Sequence, residues 1–388
     1  MTGDGRRLSG KRVLFVLDSL HLGGSERQAL YLARHLKESC GARVDVAGIA
    51  GTPGRGADLC RELGIPWHII PFAIAPLPPL TMLKMALVAR RLRRLAPEII
   101  LPFTAVPNIL CGTVWQATGA RFCVWNQRDE GLGLKGKFLT RGAARNTPCF
   151  VSNSSAGSEF LRRVLQVEPS RIKLVRNGVP LPEPRLSGAE WRRRQGLPAQ
   201  LPLACMVANL HGNKDHETLI RAWRIVLDQG GESAAPVLLL AGRRDGAARA
   251  LESLAAELGL AEQVRFLGVV DDIPSLLDAA DLCVFSSRSE GCPNGILEAM
   301  AAGLPVAATD IPGIRDALGE DAGNLLSPPG DAPAFAANIS RMLGDVALRQ
   351  RIGAANRRRI ATEFSPESMC EAMVRIMVEG LNDGGAGT

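Results

Sequence analysis

Aromatic residues are scarce in this chain, at 4% of 388 residues, with a single tyrosine. Proteins that bind single-stranded nucleic acid stack bases on aromatic side chains, often beside arginine, and no such pattern occurs here. Zinc-finger spacings are also absent. The formal charge of +7 therefore favours nucleotide phosphates or anionic lipid over nucleic acid as partners.

Paired cysteines and metal signatures are missing as well. The nine cysteines are odd in number and form no C-x-x-C pair, which favours free thiols in a reducing compartment. No D-x-D motif occurs, and the five histidines form no cluster such as H-E-x-x-H. We expect neither a metal ion nor a resident cofactor.

No long uncharged run suits a membrane span. Residues 65–83 contain five prolines, and residues 99–120 contain two prolines and polar side chains. Near the N-terminus only Val13–Leu17 is apolar, which is too short for the core of a signal peptide. The sequence therefore predicts a cytoplasmic protein.

Short apolar strands alternate with amphipathic helices along the whole chain. A helix is predicted over Ser25–Lys37, for example, where apolar residues recur at helical spacing. Apolar strands separated by helices indicate parallel sheets covered on both faces, an α/β fold. The predicted strands are Val13–Leu17, Val44–Ile49, Trp67–Ile70, Ile99–Leu101, Phe122–Trp125, Phe150–Ser152, Leu203–Val207, Val237–Ala241, Val264–Leu267, Leu282–Phe285 and Val306–Ala308.

A proline-rich stretch from Pro180 to Pro202 interrupts this alternation and separates two α/β units of similar size. We predict two Rossmann-like domains whose parallel sheets face a central cleft, with ligands at the carboxyl ends of the strands. The predicted parts are an N-terminal domain at 1–180, a linker at 181–201, a C-terminal domain at 202–365, and a C-terminal helix with a frayed tail at 366–388, the helix packing back on the N-terminal domain.

The most specific motif follows the predicted strand Leu282–Phe285. It reads Glu-Gly-Cys-Pro-Asn-Gly-Ile-Leu-Glu from Glu290 to Glu298. We predict that Asn294 caps a helix with Glu298 in its first turn, and that Gly303 ends it in the left-handed conformation. A diphosphate can bind at such a helix start, and carboxylates beside it would accept hydrogen bonds from sugar hydroxyls. The alternative is a helix whose acidic first turn merely complements its dipole.

Two glycines follow the first strand. Gly23 and Gly24 would let backbone N–H groups approach a diphosphate or an acceptor, and Ser25 with Gln28 predicts a capping-box start to the next helix. The alternative is a tight turn with no ligand. A dinucleotide fingerprint is disfavoured because the third glycine of G-x-G-x-x-G is missing.

Together these motifs resemble the nucleotide-sugar-binding signature of the retaining family 4 glycosyltransferases, the glycosyl transferases group 1, which have the GT-B fold. The loop from Gly23 to Arg27 is similar to their N-terminal Gly-Gly-x-Glu loop. Further similarities, in the family's order, are Asn177–Val179, Val207–Ile220, Asp281–Leu282, Glu290–Glu298 and Gly313–Ile314.

The resemblance implies a metal-independent hexosyltransferase that moves a sugar from a UDP- or GDP-sugar to a glycan or lipid-linked glycan bound by the N-terminal domain. It implies that Glu298 holds the ribose, Glu290 contacts the transferred sugar, and Lys214 binds the diphosphate as leaving group. It also implies same-face attack, with the leaving phosphate taking the acceptor's proton. The implied donor contacts are Gly23, Gly24, Asn209, Lys214, Arg243, Glu290, Gly291, Pro293, Asn294, Gly295, Ile296 and Glu298.

The sequence departs from the family at two positions. Asn209 stands where much of the family has arginine, five residues before the lysine, and Arg243 is a candidate to replace that charge. Arg128 stands where a histidine is common in the family. We predict that Arg128, Lys214 and Glu290 are the catalytic residues. Further candidates for proton transfer or acceptor contact are His21, His211, Asp129 and Glu130.

Other functions stay open at this point. An epimerase, a phosphorylase or a non-catalytic nucleotide-sugar-binding subunit could share the architecture, although no lysine setting for pyridoxal is found. The segment Thr81–Leu95 combines apolar and basic residues and could rest on anionic lipid at the inner face of the plasma membrane. The alternative is an ordinary α/β helix with a solvated basic end.

Overall fold

The computed structural model describes residues 4–131, 138–180, 183–230, 235–320 and 326–383. The chain divides into two compact units, Met1–Gly178 with Pro366–Thr388, and Val179–Ser365. Each unit contains one parallel sheet flanked by helices. The α/β class with two parallel sheets is therefore confirmed.

The first unit has a seven-stranded sheet in the order β3-β2-β1-β4-β5-β6-β7. All its strand pairs are parallel. The strands are β1 (Arg12–Leu17), β2 (Arg43–Gly48), β3 (Trp67–Ile69), β4 (Ile99–Pro102), β5 (Phe122–Gln127), β6 (Cys149–Ser152) and β7 (Ile172–Leu174). The helices between them are α1 (Gly24–Glu38), α2 (Arg55–Glu62), α3 (Pro78–Arg94), α4 (Ala105–Val114), α5 (Phe138–Asn146) and α6 (Ser155–Arg163).

The second unit has a six-stranded parallel sheet in the order β10-β9-β8-β11-β12-β13. The strands are β8 (Leu203–Val207), β9 (Val237–Ala241), β10 (Val264–Gly268), β11 (Leu282–Phe285), β12 (Val306–Thr309) and β13 (Leu326–Ser327). The helices are α7 (Gly188–Arg194), α8 (His216–Gln229), α9 (Ala248–Glu257), α10 (Ile273–Ala279), α11 (Asn294–Ala301), α12 (Pro312–Leu318), α13 (Ala332–Gly344) and α14 (Val346–Glu363).

The segment 181–201, predicted as a linker, contains α7, which packs into the second unit. Trp191 is buried in the core of that unit. Arg192 is also buried, because its guanidinium donates to the carbonyl of Ala279 (2.8 Å) and to the carboxylate of Asp281 (2.9 Å). Residues 181–182 lie outside the described residues.

The last helix, α15 (Pro366–Asp383), belongs to the first unit. Its residues Met373 and Met377 are buried in one core with Val13 and Leu36. The helix thus packs against α1 and β5 of that unit.

Burial explains two properties that bear on function. All nine cysteines are buried free thiols, and burial raises the pKa of Cys60 and Cys149 to about 11 each. These thiols are therefore protonated and poor nucleophiles at neutral pH. Among the helices of the described residues, none is both long and apolar enough to span a bilayer.

Candidate functional site

The N-cap of the helix in the Glu290–Glu298 motif lies one residue earlier than predicted. Pro293 is the N-cap of α11, so the prediction that Asn294 caps the helix is wrong. The proline ring holds φ near −74°, which allows extended backbone before the first turn without a capping side chain. Glu298 consequently lies in the second turn rather than the first. Gly303 adopts φ +82° after the helix, as predicted.

Two glycines bring backbone segments unusually close around this helix. A Cβ on Gly295 would lie 2.3 Å from the carbonyl oxygen of Val207, at the end of β8. A Cβ on Gly313 would lie 2.2 Å from the carbonyl oxygen of Glu290. Only glycine fits at these positions, and the contacts fix both the helix start and the loop before it.

Lys214 is positioned by a short 3₁₀ turn, Gly212–Lys214, that follows β8. The next residue, Asp215, adopts the left-handed conformation with φ +46°. Its buried carboxylate accepts from the hydroxyl of Thr218 at 2.9 Å and pairs with Arg288 at 3.1 Å. The carbonyl of Lys214 accepts a hydrogen bond from Ser286 at 2.9 Å. The backbone on both sides of the lysine is therefore held in place.

The structure brings the predicted lysine and the first predicted carboxylate together. The ammonium of Lys214 forms an ion pair with Oε1 of Glu290. Their side chains are 25% and 10% exposed, so the pair is largely withdrawn from solvent while the ammonium keeps some access. The Lys214 Nζ atom also lies 5.5 Å from the ring centroid of Phe285, within the range of a cation–π contact.

Ser287 supports this pair and was not predicted. Its hydroxyl lies 2.8 Å from Oε1 of Glu290 and 2.9 Å from the carbonyl of Asn213. Thr309, at the end of β12, accepts from the Ser287 N–H at 2.8 Å and donates to its carbonyl at 2.7 Å. The run Ser286-Ser287-Arg288-Ser289 after a strand was the only available sequence signal, and it reads as an ordinary polar loop.

The remaining residues of the motif have different degrees of access. Gly291 and Pro293 are buried, and Asn294, Gly295 and Glu298 are half-buried. Ile296 is fully buried in the core, and its N–H donates to the carbonyl of Pro293 at 3.1 Å. The side chain of Ile296 therefore stabilises the helix from within the unit.

Asn209 and Arg243 are in contact, but the contact involves the backbone of Arg243 and not its guanidinium. The Asn209 side-chain oxygen accepts from the Arg243 N–H at 3.0 Å. The Arg243 guanidinium pairs with Asp245 at 2.7 Å. Asn209 thus joins the loops after β8 and β9, and the Arg243 guanidinium lies beside Asp245 of the same loop.

In the first unit, Arg128 follows β5 within a cluster of asparagine side chains. Its guanidinium donates to Oδ1 of Asn177 at 3.1 Å and to Oδ1 of Asn126 at 3.3 Å. Its carbon Cζ lies 4.6 Å from the ring centroid of Phe103, the residue after β4. The amide of Asn153 donates to the same oxygen of Asn177 at 3.3 Å. Arg128 is thus held at the carboxyl edge of the sheet, where parallel sheets bind ligands.

The other candidates for proton transfer or acceptor contact are Asp129, Glu130 and His21 in the first unit and His211 in the second. Asp129 accepts from Gln127 at 2.6 Å and from the Gly131 N–H at 2.8 Å, and burial raises the pKa of its carboxyl. Glu130 is half-buried beside it. The ring of His21 lies 3.3 Å from the Thr52 hydroxyl, and in the second unit His211 accepts from the Asn213 N–H at 3.4 Å.

The glycine loop after β1 leads into α1 without the predicted capping box. Gly23 is the N-cap, which has no side chain to cap the helix, and Gly24 is the first helical residue. Gln28 is buried and instead holds Gly178, donating to its carbonyl at 2.9 Å and accepting from its N–H at 3.1 Å. The capping-box prediction is therefore wrong, because the glutamine serves a long-range backbone contact.

His216, the first residue of α8, was not singled out from the sequence. It is buried, and neither ring nitrogen has a hydrogen-bond partner among the described residues. Burial, with the nearby charge of Lys214, lowers its pKa to about 4. The imidazole is therefore neutral at physiological pH and adds no charge beside Lys214.

The described residues contain no group of three or more His, Cys, Asp or Glu side chains that could hold a metal ion. The charged and polar groups that the motif residues of the second unit offer are the Lys214–Glu290 pair, Glu298 and the start of α11. This set can bind an anion and a polyol, because it offers an ammonium, helix N–H groups and carboxylate acceptors.

Two family descriptions match most of the chain. Residues 202–345 match the family described as Glycosyl transferases group 1, and residues 22–182 match Glycosyltransferase Family 4.

Curated relatives match part of their own length. The lipopolysaccharide core biosynthesis glycosyltransferase LpsE of Rhizobium meliloti is 30% identical over 60% of this chain and 65% of its own. The D-inositol 3-phosphate glycosyltransferase of Salinispora arenicola is 30% identical over 60% of this chain and 54% of its own. The chain thus spans between half and two thirds of the length of these relatives.

Among solved structures, Anabaena HepE in complex with UDP and glucose has a TM-score of 0.81 at 19% identity, covering 95% of this chain and all of its own. WaaG, a glycosyltransferase involved in lipopolysaccharide biosynthesis, has a TM-score of 0.70 at 20% identity, covering 94% of this chain and 99% of its own. The fold is shared with glycosyltransferases of the GT-B type. The chain belongs to the family 4 glycosyltransferases, the glycosyl transferases group 1.

Proposed function

We propose that this protein transfers a hexose from a UDP- or GDP-sugar to a glycan or lipid-linked glycan, with retention of configuration and without a metal ion. The observation that carries the proposal is the Lys214–Glu290 pair, placed beside the start of α11 by the two family-matching loops of the second unit. An ammonium and a carboxylate in contact suit a ligand that is anionic at one end and hydroxylated at the other.

The roles of the three charged residues follow from their chemistry. Lys214 has three N–H donors, so it can bond a diphosphate oxygen while keeping its contact with Glu290. Its charge would offset the negative charge that develops as the diphosphate leaves. Glu290, supported by Ser287, would accept hydrogen bonds from the hexose, and Glu298 would accept them from the ribose.

In the proposed reaction, the bond from the anomeric carbon to the diphosphate oxygen breaks and a bond to the acceptor oxygen forms on the same face. The acceptor hydroxyl loses its proton to the leaving phosphate. This assignment needs no separate protein base. Arg128, which is pre-oriented by two asparagines and an aromatic ring, is assigned to acceptor or sugar contact in the first unit.

A peripheral location at the inner face of the plasma membrane completes the proposal, with the contact made by α3. A lipid-linked acceptor would be concentrated at that surface. The UDP in the complex of Anabaena HepE makes UDP-sugars the first donors to test.

The test is a panel of UDP- and GDP-sugars incubated with the protein, with and without lipid-linked glycan acceptors, in the presence of a chelator. We expect release of the nucleoside diphosphate with one donor, accelerated by an acceptor, and a product that keeps the donor's anomeric configuration. Conversion of the donor to its epimer without acceptor would identify an epimerase instead. Donor binding with no release under any condition would identify a binding subunit.

A further inference from the structure

The surface of the first unit carries a concentration of uncovered apolar side chains. Eleven large hydrophobic side chains are exposed among the described residues, and six of them lie between positions 74 and 87. These six are Ile74, Leu77, Leu80, Met82, Leu83 and Leu87. Clustered apolar exposure of this kind marks an interaction surface rather than ordinary scatter.

On one face of α3, the exposed leucines are followed by basic residues toward the end of the helix. The inward face of the helix packs on the core of the unit through Met85, Val88 and Leu92. The outward face follows spacings of three and four residues, so its members form one row. That row consists of Leu80, Leu83, Leu87, Arg90 and Arg94.

The cations of this region are not accompanied by acidic residues in the same stretch of sequence. No aspartate or glutamate occurs between Glu62 and Glu98, and Glu98 is itself bonded to Lys11 and to the Arg12 N–H. Within the described part of the chain, Lys84 and Arg91 have no hydrogen-bond or ion-pair partner for their charged groups. Both cations are therefore available to an external anion.

Lys84 and Arg91 line the same cavity. It has a volume of about 510 Å³ and lies where the chain leaves β2 and β3, against the face of α3 that carries these two residues. Its walls combine the two cations with apolar side chains, namely Ile49, Phe72, Leu87 and Val88. The size is that of a small-ligand site, and the carboxyl end of a parallel sheet is where such sites form.

We propose that this cavity binds the phosphate group of a membrane lipid while the leucines beside it enter an anionic bilayer. Leu87 belongs to both features, since it lines the cavity and is 53% exposed. A free phosphate would use the cations but gain nothing from the exposed leucines. A lipid phosphate uses both, because its acyl chains remain in the layer that Leu80 and Leu83 enter.

The inference that this lipid presents the sugar acceptor rests on the proposed glycosyl transfer. A lipid-linked acceptor carries its phosphate at the boundary between its chain and its glycan. Anchoring that phosphate between Lys84 and Arg91 would leave the glycan at the carboxyl edge of the sheet. The surface Ile74–Arg94 would then choose lipid-phosphate-linked acceptors over free sugars.

The test is co-sedimentation of the full chain with vesicles of phosphatidylcholine alone and with about a third phosphatidylglycerol. We expect the wild type to bind the anionic vesicles preferentially. Lys84→Gln with Arg91→Gln should reduce that binding by roughly tenfold or more, since each cation near an anionic surface contributes about fivefold. Leu83→Ser with Leu87→Ser should reduce binding to both kinds of vesicle.

Matched controls remove the same number of charges or apolar groups elsewhere. Arg249→Gln with Arg351→Gln removes two exposed arginines of the second unit, and Val269→Ser with Val346→Ser removes two exposed valines. Both controls should bind like the wild type. A wild type that does not prefer anionic vesicles, or a Lys84/Arg91 variant that binds no more weakly than the arginine control, would overturn the proposal.

The vesicle result is separable from the proposed enzymatic function. Donor hydrolysis by the wild type, measured without vesicles, reports on the proposed transfer chemistry and not on the lipid site. Vesicle binding without donor turnover would retain the lipid site and reject glycosyl transfer. Donor turnover without vesicle binding would retain glycosyl transfer and reject the lipid site.

Discussion

Lys214 and Glu290 form a pair whose members are each needed for the other's burial. The carboxylate is only 10% exposed and accepts from Ser287 as well as from the ammonium. Removing the lysine would leave a largely buried carboxylate with one hydroxyl donor, which is a costly state. The effect of a Lys214 variant on activity therefore reports on the lysine itself only when Glu290 stays in place.

His216 predicts a dependence of stability on pH. Its pKa is lowered to about 4 in the folded protein, against 6.5 for a free histidine. Between pH 6.5 and pH 4, His216 is protonated in the unfolded chain but stays neutral in the folded protein. The free energy of unfolding therefore falls as the pH decreases from 6.5 to 4. The full loss should be roughly 3 kcal/mol.

The measurement is the free energy of unfolding by urea at several pH values. His216→Leu should flatten the curve between pH 4 and 6.5, whereas His211→Gln, which changes an exposed histidine, should not. An unchanged slope in His216→Leu would show that the buried imidazole is not the group responsible.

Gln28 predicts a second effect on stability. Its amide satisfies both the N–H and the carbonyl of Gly178, and the side chain is 6% exposed. Gln28→Ala removes the hydrogen bonds to both backbone groups of Gly178 at a buried position. This should lower the free energy of unfolding by roughly 2–4 kcal/mol. Gln116→Ala, at an exposed position, should change the free energy of unfolding by less than about 0.5 kcal/mol. Similar urea midpoints for the two variants would contradict the bridging role.

At the scale of elements, the start of α11 depends on close backbone contacts rather than on a capping side chain. Gly295 lies against β8, and Gly313, at the start of α12, lies against the Glu290 carbonyl. The loop that carries Glu290 is thus held against α12, and the helix that follows it is held against β8. Its position is set by atoms that a sequence pattern does not display.

Gly313→Ala should therefore displace the Glu290 loop. The added Cβ would lie 2.2 Å from the carbonyl of Glu290 and 2.4 Å from that of Gly291, and neither backbone atom can rotate away. We expect a loss of roughly 1–3 kcal/mol in stability, and a larger proportional loss in donor affinity. Gly246→Ala, where nothing lies within 4 Å of the new Cβ, is the control. A Gly313→Ala variant with wild-type melting temperature and donor affinity would show that the loop tolerates the shift.

The sequence predicted the elements well and their junctions less well. All eleven predicted strands are present, because each is an apolar run bounded by loops. The strand β7 was missed since Lys173 and Leu174 are exposed at the sheet edge, and β13 was missed since it has two residues. The capping predictions for Asn294 and Gln28 failed because a local pattern cannot show that Pro293 suffices or that Gly178 lies nearby.

For the candidate site, the sequence predicted the charged residues but not the side chains that hydrogen-bond to them or hold their loop. Lys214, Glu290 and Glu298 were found through a motif of fixed order. Ser287 and Thr309 were not, since Ser287 lies in the loop after β11 and Thr309 at the end of β12, and the two residues meet only in the folded unit. Whether Arg243 replaces the missing arginine could not be foreseen, because its pairing with Asp245 depends on side-chain conformation.

At the scale of the whole molecule, the distribution of cysteines offers a simple check on the fold. All nine thiols are buried, in both units, and burial raises the pKa of Cys205 and of Cys370 to about 12. A thiol reagent such as Ellman's reagent should react with fewer than one thiol per native chain within minutes, and with nine after denaturation. Rapid reaction of two or more thiols in the native protein would show that a core is open.

The proposed function depends most on the second unit binding a nucleoside diphosphate through Lys214 and Glu298. Titration calorimetry with UDP and with GDP tests this directly, using the wild type, Lys214→Met, Glu298→Gln, and Lys173→Met as an exposed control. We predict that one nucleotide binds the wild type and the control equally, and binds the first two variants roughly tenfold or more weakly, since each loses a charged hydrogen bond. Equal affinity in all four proteins, or no binding of either nucleotide, would contradict the account.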